Sequence, residues 1–263
     1  MSDWPALTRE LDAWAAAGRV ATLWWRDDDA AAPCPALDRL LDLAAAYGMP
    51  LALAVIPARA TDGLGPRLAG APAAPAILQH GFAHRNHTPD ADKKCELGAH
   101  RPAADVLEEL ARGQARMDEL FGQGWLPVMV PPWNRIAPAI ARGLPGLGFR
   151  GLSTHGARAA AHPAPGLLQV NTHVDIMRWP APRGFLGEAA ALALLIEHLR
   201  ARRHGEVDAG EPTGLLTHHL AHDAGCWAFL ARLLACLSAH PGAGALTATE
   251  VFAPAAGVDE GVA

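Results

Sequence analysis

The sequence has few cysteines, and they are not arranged in pairs. Cys34, Cys95, Cys226 and Cys236 are far apart, and no C-x-x-C motif occurs. The spacing therefore indicates neither a disulfide framework nor a zinc site built from thiolates. Cys226 and Cys236 lie in an apolar helical pattern, where we expect them to be small core residues.

The sequence also lacks the features of exported, membrane-spanning or nucleic-acid-binding proteins. Its first residues carry Asp3, Glu10 and Asp12 but no basic start, apolar segment or cleavage site of a secretion signal. No apolar run reaches the about 18 residues that a membrane-spanning helix needs. With a net charge of -5, there is no broad basic surface for nucleic acid. We expect a cytoplasmic protein that binds neither membranes nor nucleic acid; the oligomeric state is left open.

The composition is that of a folded protein with one large core. Apolar residues make up 51% of the 263 residues and charged residues 19%, which is ordinary for globular proteins. An α/β barrel of this length commonly forms one domain. We predict a single domain over residues 1–252 and a flexible C-terminal tail over residues 253–263.

Short apolar runs alternate with helical patterns along the chain. The runs predict strands at Val20–Trp25, Leu51–Ile56, Ala76–Leu78, Val128–Val130, Phe149–Ser153, Leu167–Val170 and Gly214–Thr217. Continuous apolar runs are typical of parallel strands that are buried on both faces. The fold class predicted is α/β, a distorted (β/α) barrel with about seven parallel strands. A doubly wound open sheet is the alternative.

Polar residues follow several of these runs. The residues at strand ends are Asp27, Asp28, Asp29, His80, His84, Asp175, His218 and His219. In an α/β barrel, residues at the carboxyl ends of different strands meet on one face and form the active site. Carboxylates together with imidazoles are also the ligands of divalent metals. The pattern favours a metal-dependent hydrolase.

His80 and His84 are four residues apart, a spacing that places side chains together on a helical turn. The alternative interpretation is a polar loop with surface histidines. Three adjacent carboxylates repel one another unless a cation or an arginine offsets them, which favours the metal. One carboxylate with two histidines leaves positions open for water and substrate. Lys93, Lys94 and Glu96 indicate only a solvated loop or the start of a helix.

The motifs occur in the order found in one enzyme family. They are Asp-Asp after the first strand, His-x-x-x-His after a later one, Pro131-Pro132-Trp133 after a central one, Asp175 followed by Trp179, and Leu216-Thr217-His218 near the end. From Trp24 to about Asp223 the chain resembles the polysaccharide deacetylases, also called the chitooligosaccharide deacetylase homology family. The resemblance implies a distorted (β/α) barrel that uses one divalent ion, with zinc expected, to remove acetyl groups from N-acetylated sugars.

The resemblance also assigns roles to individual residues. It implies Asp28 as general base and Asp29 as metal ligand, although a register of Asp27 and Asp28 stays open because the chain has three aspartates. His80 and His84 match the histidine ligands, with Gly81 where the family prefers a hydroxyl residue. Asp175 matches the aspartate that orients the catalytic histidine, and His218 matches that histidine, which protonates the leaving amine.

For substrate binding, the resemblance implies a groove formed by Pro132, Trp133, Arg135 and Trp179. Val130 stands where the family has an arginine that tunes the base, and either Arg135 or Arg26 is expected to replace it. His87 and His173 are alternative ligands or partners of the ligands.

The predicted function is deacetylation of an N-acetylated sugar or related small amide. A cytoplasmic location favours a soluble sugar conjugate, a nucleotide-linked or lipid-linked precursor, or a non-sugar amide over a cell-wall polysaccharide. The alternatives are a non-catalytic barrel that binds a carbohydrate or metabolite, and a metal-dependent esterase.

Overall fold

The computed structural model describes residues 3–253, so the predicted tail lies outside the described residues apart from Ala253. The helices are α1 (Trp4–Ala16), α2 (Pro35–Tyr47), α3 (Leu64–Ala69), α4 (Ala103–Phe121), α5 (Pro138–Gly143), α6 (Glu188–His204), α7 (Ala224–Ala239) and α8 (Ala248–Val251). The strands are β1 (Ala21–Ala30), β2 (Leu51–Val55), β3 (Ala76–His80), β4 (Val128–Val130), β5 (Gly151–Leu152), β6 (Leu168–Gln169), β7 (Val174–Asp175), β8 (Met177–Arg178), β9 (Gly184–Phe185), β10 (Thr213–Thr217) and β11 (Ala243–Ala245).

The main sheet is parallel and curls into a barrel. Its order is β6-β5-β4-β3-β2-β1-β10-β7, with β11 also paired to β1. The segment from β6 to β7 completes the ring because β6 pairs with β5 and β7 pairs with β10. Between them, Val170 N–H donates to the Leu152 carbonyl and His173 N–H to the Gly214 carbonyl. With β6 and β7 taken as one interrupted strand, the predicted single-domain barrel of about seven parallel strands is confirmed.

The apolar runs locate the strands, but two strands continue into polar residues. β1 extends beyond Trp25 through the aspartates to Ala30, and β3 extends to His80. The two predicted strands that became β5 and β6 are shorter than expected. The sequence patterns do not indicate β7, β11 or the antiparallel hairpin of β8 and β9, because strands this short show no periodicity.

Alternation along the strands separates the barrel interior from the layer of helices. Trp24 faces the interior with Ala52 and Ala54 of β2, whereas Trp25 packs in the outer core. Phe252, after α8, packs edge-on against Trp24 with ring centroids 5.7 Å apart and covers the amino-terminal end of the strands. The carboxyl ends of the strands are left open, and in other α/β barrels the active site lies at this end.

Two absences expected from the sequence can be checked in the described part of the chain. None of its helices combines the length and apolar character needed to cross a bilayer. All four cysteines are free thiols. Cys226 is fully buried in the core and Cys236 packs against it from the edge.

A buried ion pair connects β1 to the turn after β10. Asp27 accepts hydrogen bonds from the Thr217 hydroxyl at 2.7 Å, from the His219 backbone N–H at 3.0 Å and from the His219 ring. Burial alone would raise the pKa of Asp27 and lower that of His219, but their mutual attraction outweighs it and shifts both in the opposite direction. The carboxylate and the imidazolium therefore stabilise each other.

We predict that His219→Ala lowers the free energy of unfolding by about 3–5 kcal/mol, because it leaves Asp27 charged and unpaired in the core. The carboxylate contribution is lost as pH falls through the lowered pKa of Asp27, and the imidazolium contribution is lost as pH rises through the raised pKa of His219. Urea unfolding at about pH 6 tests this where both groups are charged. His100→Ala, at an exposed turn, is the control. A loss below about 1 kcal/mol would contradict the prediction.

Candidate active site

The three consecutive aspartates of β1 have three different surroundings. Asp27 faces outward to His219, and Asp28 faces the barrel interior with Arg26. Alternation alone would direct Asp29 to the same face as Asp27. The pairing of β1 with β2 loses register between Asp27 and Ala30, and Asp29 adopts a φ of 75°. This bulge directs Asp29 to the open end of the barrel.

Asp29, His80 and His84 form the one group of three or more potential metal ligands found within residues 3–253. Asp29 Oδ1 lies 3.2 Å from Nε2 of His80 and 3.2 Å from Nε2 of His84. His80 is the last residue of β3, whereas His84 lies in the following turn at a φ of 54°. The prediction that both lie on a helical turn is wrong, because Gly81 at a φ of 56° breaks the chain direction between them.

The donor set fits a divalent ion. His80 Nδ1 lies 2.9 Å from the Val130 carbonyl oxygen, to which it donates, so the Nε2 lone pair faces Asp29. Asp29 Oδ1 is buried and accepts no hydrogen bond of normal geometry from the described residues. Burial favours the neutral acid, but the neighbouring histidines, His80 foremost, hold the pKa of Asp29 below its usual range. Facing lone pairs repel each other unless a proton or a cation lies between them.

Arg26 holds the carboxylate of Asp28 in one orientation. Its Nε lies 2.8 Å from Oδ1 and its Nη2 lies 2.9 Å from Oδ2, and both side chains are buried. The remaining donors reach Asn134 Oδ1 at 2.7 Å and the Ser153 hydroxyl at 2.6 Å. A planar guanidinium that is satisfied on all sides cannot rotate freely, so Asp28 is fixed as well.

Arg26, and not Arg135, is the arginine that contacts Asp28. Val130, at the position where the sequence motif lacks an arginine, is a buried residue of β4. The Arg135 guanidinium donates instead to the Lys94 carbonyl at 2.7 Å. Of the two arginines that the sequence left open, only Arg26 is therefore placed to act on the Asp28 carboxylate.

His218 faces Asp28 in the same cleft. Its Nε2 lies 4.0 Å from Asp28 Oδ2, and its ring packs edge-on against Trp179 with centroids 4.6 Å apart. Asp175 accepts hydrogen bonds from Met177 N–H at 2.9 Å and from Trp179 Nε1 at 2.7 Å. The direct contact expected between Asp175 and His218 is not present among the described residues, where His218 Nδ1 is buried without a partner. Asp175 reaches His218 only through Trp179.

The predicted groove residues surround a cleft of about 910 Å³. Trp133, Trp179 and Arg135 line the cleft, whereas Pro132 is buried and does not line it. Trp133 adopts a φ of 55°, which is rare for a bulky residue, and packs against His84 with ring centroids 4.3 Å apart. The indole therefore lies beside the candidate metal ligands.

A buried carboxylate, Glu96, supports the turn that carries His84. It accepts hydrogen bonds from three backbone N–H groups on both sides of His84, those of Phe82 at 3.1 Å, Ala83 at 2.8 Å and Arg85 at 3.1 Å. A Cβ atom at Gly81 would collide with Glu96 Oε2 and with the Pro132 ring. Gly81 and Glu96 are thus a matched pair, because the carboxylate fills space that a side chain at position 81 would need.

The two alternative histidines lie apart from the Asp29 group. His87 Nε2 accepts a hydrogen bond from Arg101 at 3.0 Å, outside the cleft. His173 Nδ1 accepts a hydrogen bond from Gly214 N–H at 3.0 Å, and its Nε2 lies 3.4 Å from Glu211 in a separate buried polar cluster. Neither residue reaches the three candidate ligands.

We predict that Gly81→Ser and Glu96→Ala each weaken zinc binding by about tenfold or more, since residues that orient metal ligands contribute 10–100-fold. The double variant Gly81→Ser/Glu96→Ala should recover little of the loss, because the Pro132 ring would still lie 2.6 Å from a Cβ atom at position 81. Chelator competition measures the affinity, with Glu108→Ala at an exposed position of α4 as control. Unchanged zinc affinity in Glu96→Ala would contradict this role.

No protein-family model and no curated protein matches the sequence. Solved structures with the same fold do match. A protein from Mycobacterium smegmatis assigned to the polysaccharide deacetylases is 16% identical, with a TM-score of 0.64 over 88% of this chain and 89% of that chain. A family 4 carbohydrate esterase from Streptomyces lividans in complex with acetate is 15% identical, with a TM-score of 0.56 over 86% of this chain and 91% of that chain.

A third match is a family 4 acetyl xylan esterase from Clostridium thermocellum in complex with a cobalt ion. It is 14% identical, with a TM-score of 0.52 over 88% of this chain and 90% of that chain. At such low identity the shared property is the arrangement of strands and helices. The fold implied by the sequence motifs is confirmed, and the chain has the fold of the polysaccharide deacetylases.

Proposed function

We propose that the protein is a metal-dependent amide hydrolase that removes the acetyl group from an N-acetylated sugar or a related small amide. One observation carries the proposal. Asp29, His80 and His84 converge on one point of a cleft in which a fixed carboxylate, Asp28, faces His218. A metal site, a base and an acid in one cleft are what hydrolysis of an amide requires.

The three ligands are proposed to hold one divalent ion, with zinc expected from the mixed nitrogen and oxygen donors. The structure of the Clostridium thermocellum esterase contains cobalt, and the Streptomyces lividans esterase binds acetate. These neighbours support a metal and an acetyl group for this chain as well. When bound, such an ion polarises the acyl carbonyl and lowers the pKa of a coordinated water.

The chain's own residues perform the proton transfers. Asp28, oriented by Arg26, accepts the proton from the attacking water as the new C–O bond forms. His218 donates a proton to the nitrogen as the C–N bond breaks, so that acetate and a neutral amine leave. Trp133 and Trp179 cover the cleft and present flat apolar faces to the acetyl group or a sugar ring.

An esterase is the second candidate, since two of the three neighbours described above are esterases. An amine leaves only when protonated, whereas an alcohol is a better leaving group, so an acid at His218 favours the amide. A pure binding protein has no need of Asp28 held by Arg26 beside the metal ligands. The domain limits of 1–252 and the cytoplasmic location stay predictions from the sequence, and the location favours a small substrate.

We predict that His80→Ala, His84→Ala and Asp29→Asn lose the ion and acetate release together. His218→Ala and Asp28→Asn should keep about one ion per chain and lose about 10²–10⁴-fold in kcat, as expected for an acid and a base. Elemental analysis and acetate release from N-acetylated and O-acetylated sugars measure both properties, with His204→Ala as control. Normal turnover by His218→Ala would exclude it as the acid. Loss of metal in Asp28→Asn but not in Asp29→Asn would favour the other register.

We also predict that Arg26→Lys retains the metal but lowers kcat/KM about tenfold or more, because a lysine cannot bind both oxygens of Asp28. Arg135→Ala, which removes the other arginine that the sequence suggested, should leave kcat for a neutral acetylated sugar within about threefold, since kcat reports the chemical step. Steady-state kinetics with metal analysis tests both variants. A larger fall in kcat for Arg135→Ala than for Arg26→Lys would contradict the proposal that Arg26 orients the general base Asp28.

A further inference from the structure

The chain's only lysines, Lys93 and Lys94, are adjacent, and both line the candidate cleft. Every other positive side chain among the 22 Lys and Arg residues is an arginine. The main chain of the lysine pair is anchored, because Thr88 Oγ1 donates to the Lys93 carbonyl at 3.2 Å and Arg135 donates to the Lys94 carbonyl at 2.7 Å. Both lysine side chains are exposed at the cleft.

Two further cations reach the same cleft from other segments. Arg135 comes from the turn after β4, and Arg183 comes from the hairpin of β8 and β9, where its guanidinium lies over the Trp179 ring at 5.9 Å. Within residues 3–253, none of these four cations forms an ion pair with a carboxylate. Three segments that are distant in sequence thus bring unpaired positive charge to one opening.

The acidic residues of the cleft do not cancel this charge. Asp28 is paired with Arg26, Asp29 faces the two histidines, and Asp175 is bound by N–H groups. Asp90 and Asp92 precede the lysines in the loop but do not line the cleft. The chain as a whole has a net charge of -5, so a positive opening runs against its overall charge. Such a local field attracts anionic ligands.

From this arrangement we propose that the substrate is anionic: it carries a phosphate or carboxylate group next to the acetylated amine, and Lys93 and Lys94 bind that group. Lysine ammonium groups are established point-charge partners of phosphate. The inference rests on the proposed function for the position of the reacting amide, and it adds the charge of the group beside it.

Binding to the zinc-loaded full chain tests the proposal. Isothermal titration calorimetry compares N-acetylglucosamine with N-acetylglucosamine 6-phosphate and with N-acetylmuramic acid, which separates phosphate from carboxylate. At least one anionic ligand should bind about tenfold or more tightly than the neutral sugar, a difference of about 1.4 kcal/mol. The advantage should shrink at about 0.5 M KCl, because salt screens exposed charges.

Variants show whether the lysines cause the preference. K93A/K94A should weaken the anionic ligand about five- to tenfold and leave the neutral sugar within about twofold, as expected for charged contacts at an exposed rim. K93R/K94R should retain the preference, and Arg9→Ala, exposed on α1 and outside the cleft, should change neither ligand. If the phosphate bound the metal alone, its preference would survive in K93A/K94A and the proposal would be wrong.

Two further outcomes would overturn the proposal: equal affinity for the neutral and the anionic sugars, or no binding of either anionic ligand at millimolar concentration. Acetate release, measured on the same samples, distinguishes this inference from the proposed function. Anionic preference without acetate release from any ligand would refute the hydrolase and leave the charge inference standing. Acetate release without a charge preference would support the hydrolase and refute the charge inference.

Discussion

The geometry of β1 is the constraint on which the site depends. Three adjacent carboxylates would repel one another strongly if they shared one environment. Strand alternation and one bulge separate them, so that Asp27 pairs with His219, Asp28 with Arg26, and Asp29 with the histidine ligands. Each carboxylate thereby has its own source of positive charge. The outer pair connects β1 to the turn that follows His218, which couples the stability of the strand to the position of the proposed acid.

Strained turns after neighbouring strands complete the site. His84 follows β3 and Trp133 with Asn134 follows β4, and all three have positive φ values that non-glycine residues seldom adopt. Such strain persists where surrounding contacts hold it. Glu96 provides these contacts for the first turn, and the hydrogen bond from Arg26 to Asn134 Oδ1 provides one for the second. The residues that support the turns are therefore as much part of the site as the ligands.

Charge distinguishes the opening of the cleft from its floor. At the floor, Asp28 is paired with Arg26, and Asp29 is one of the three candidate metal ligands. The rim carries cations that form no ion pair with a carboxylate of the described residues. A cleft of this kind suits a ligand with a reactive amide at one end and a negative group at the other.

The sequence was sufficient to predict the barrel, and most residues predicted for the site lie in one cleft of the structure. Buried parallel strands leave continuous apolar runs, and the order of polar motifs after those runs places Asp28, Asp29, His80, His84 and His218 on one face. Three features required the packed barrel: that Arg26 contacts Asp28, that Asp175 bonds to Trp179 rather than to His218, and that Glu96 supports the turn of His84 while the two lysines line the cleft. Periodicity reports which face of a strand or helix is buried. It carries no information on contacts between distant loops, whose positions depend on the whole packed barrel.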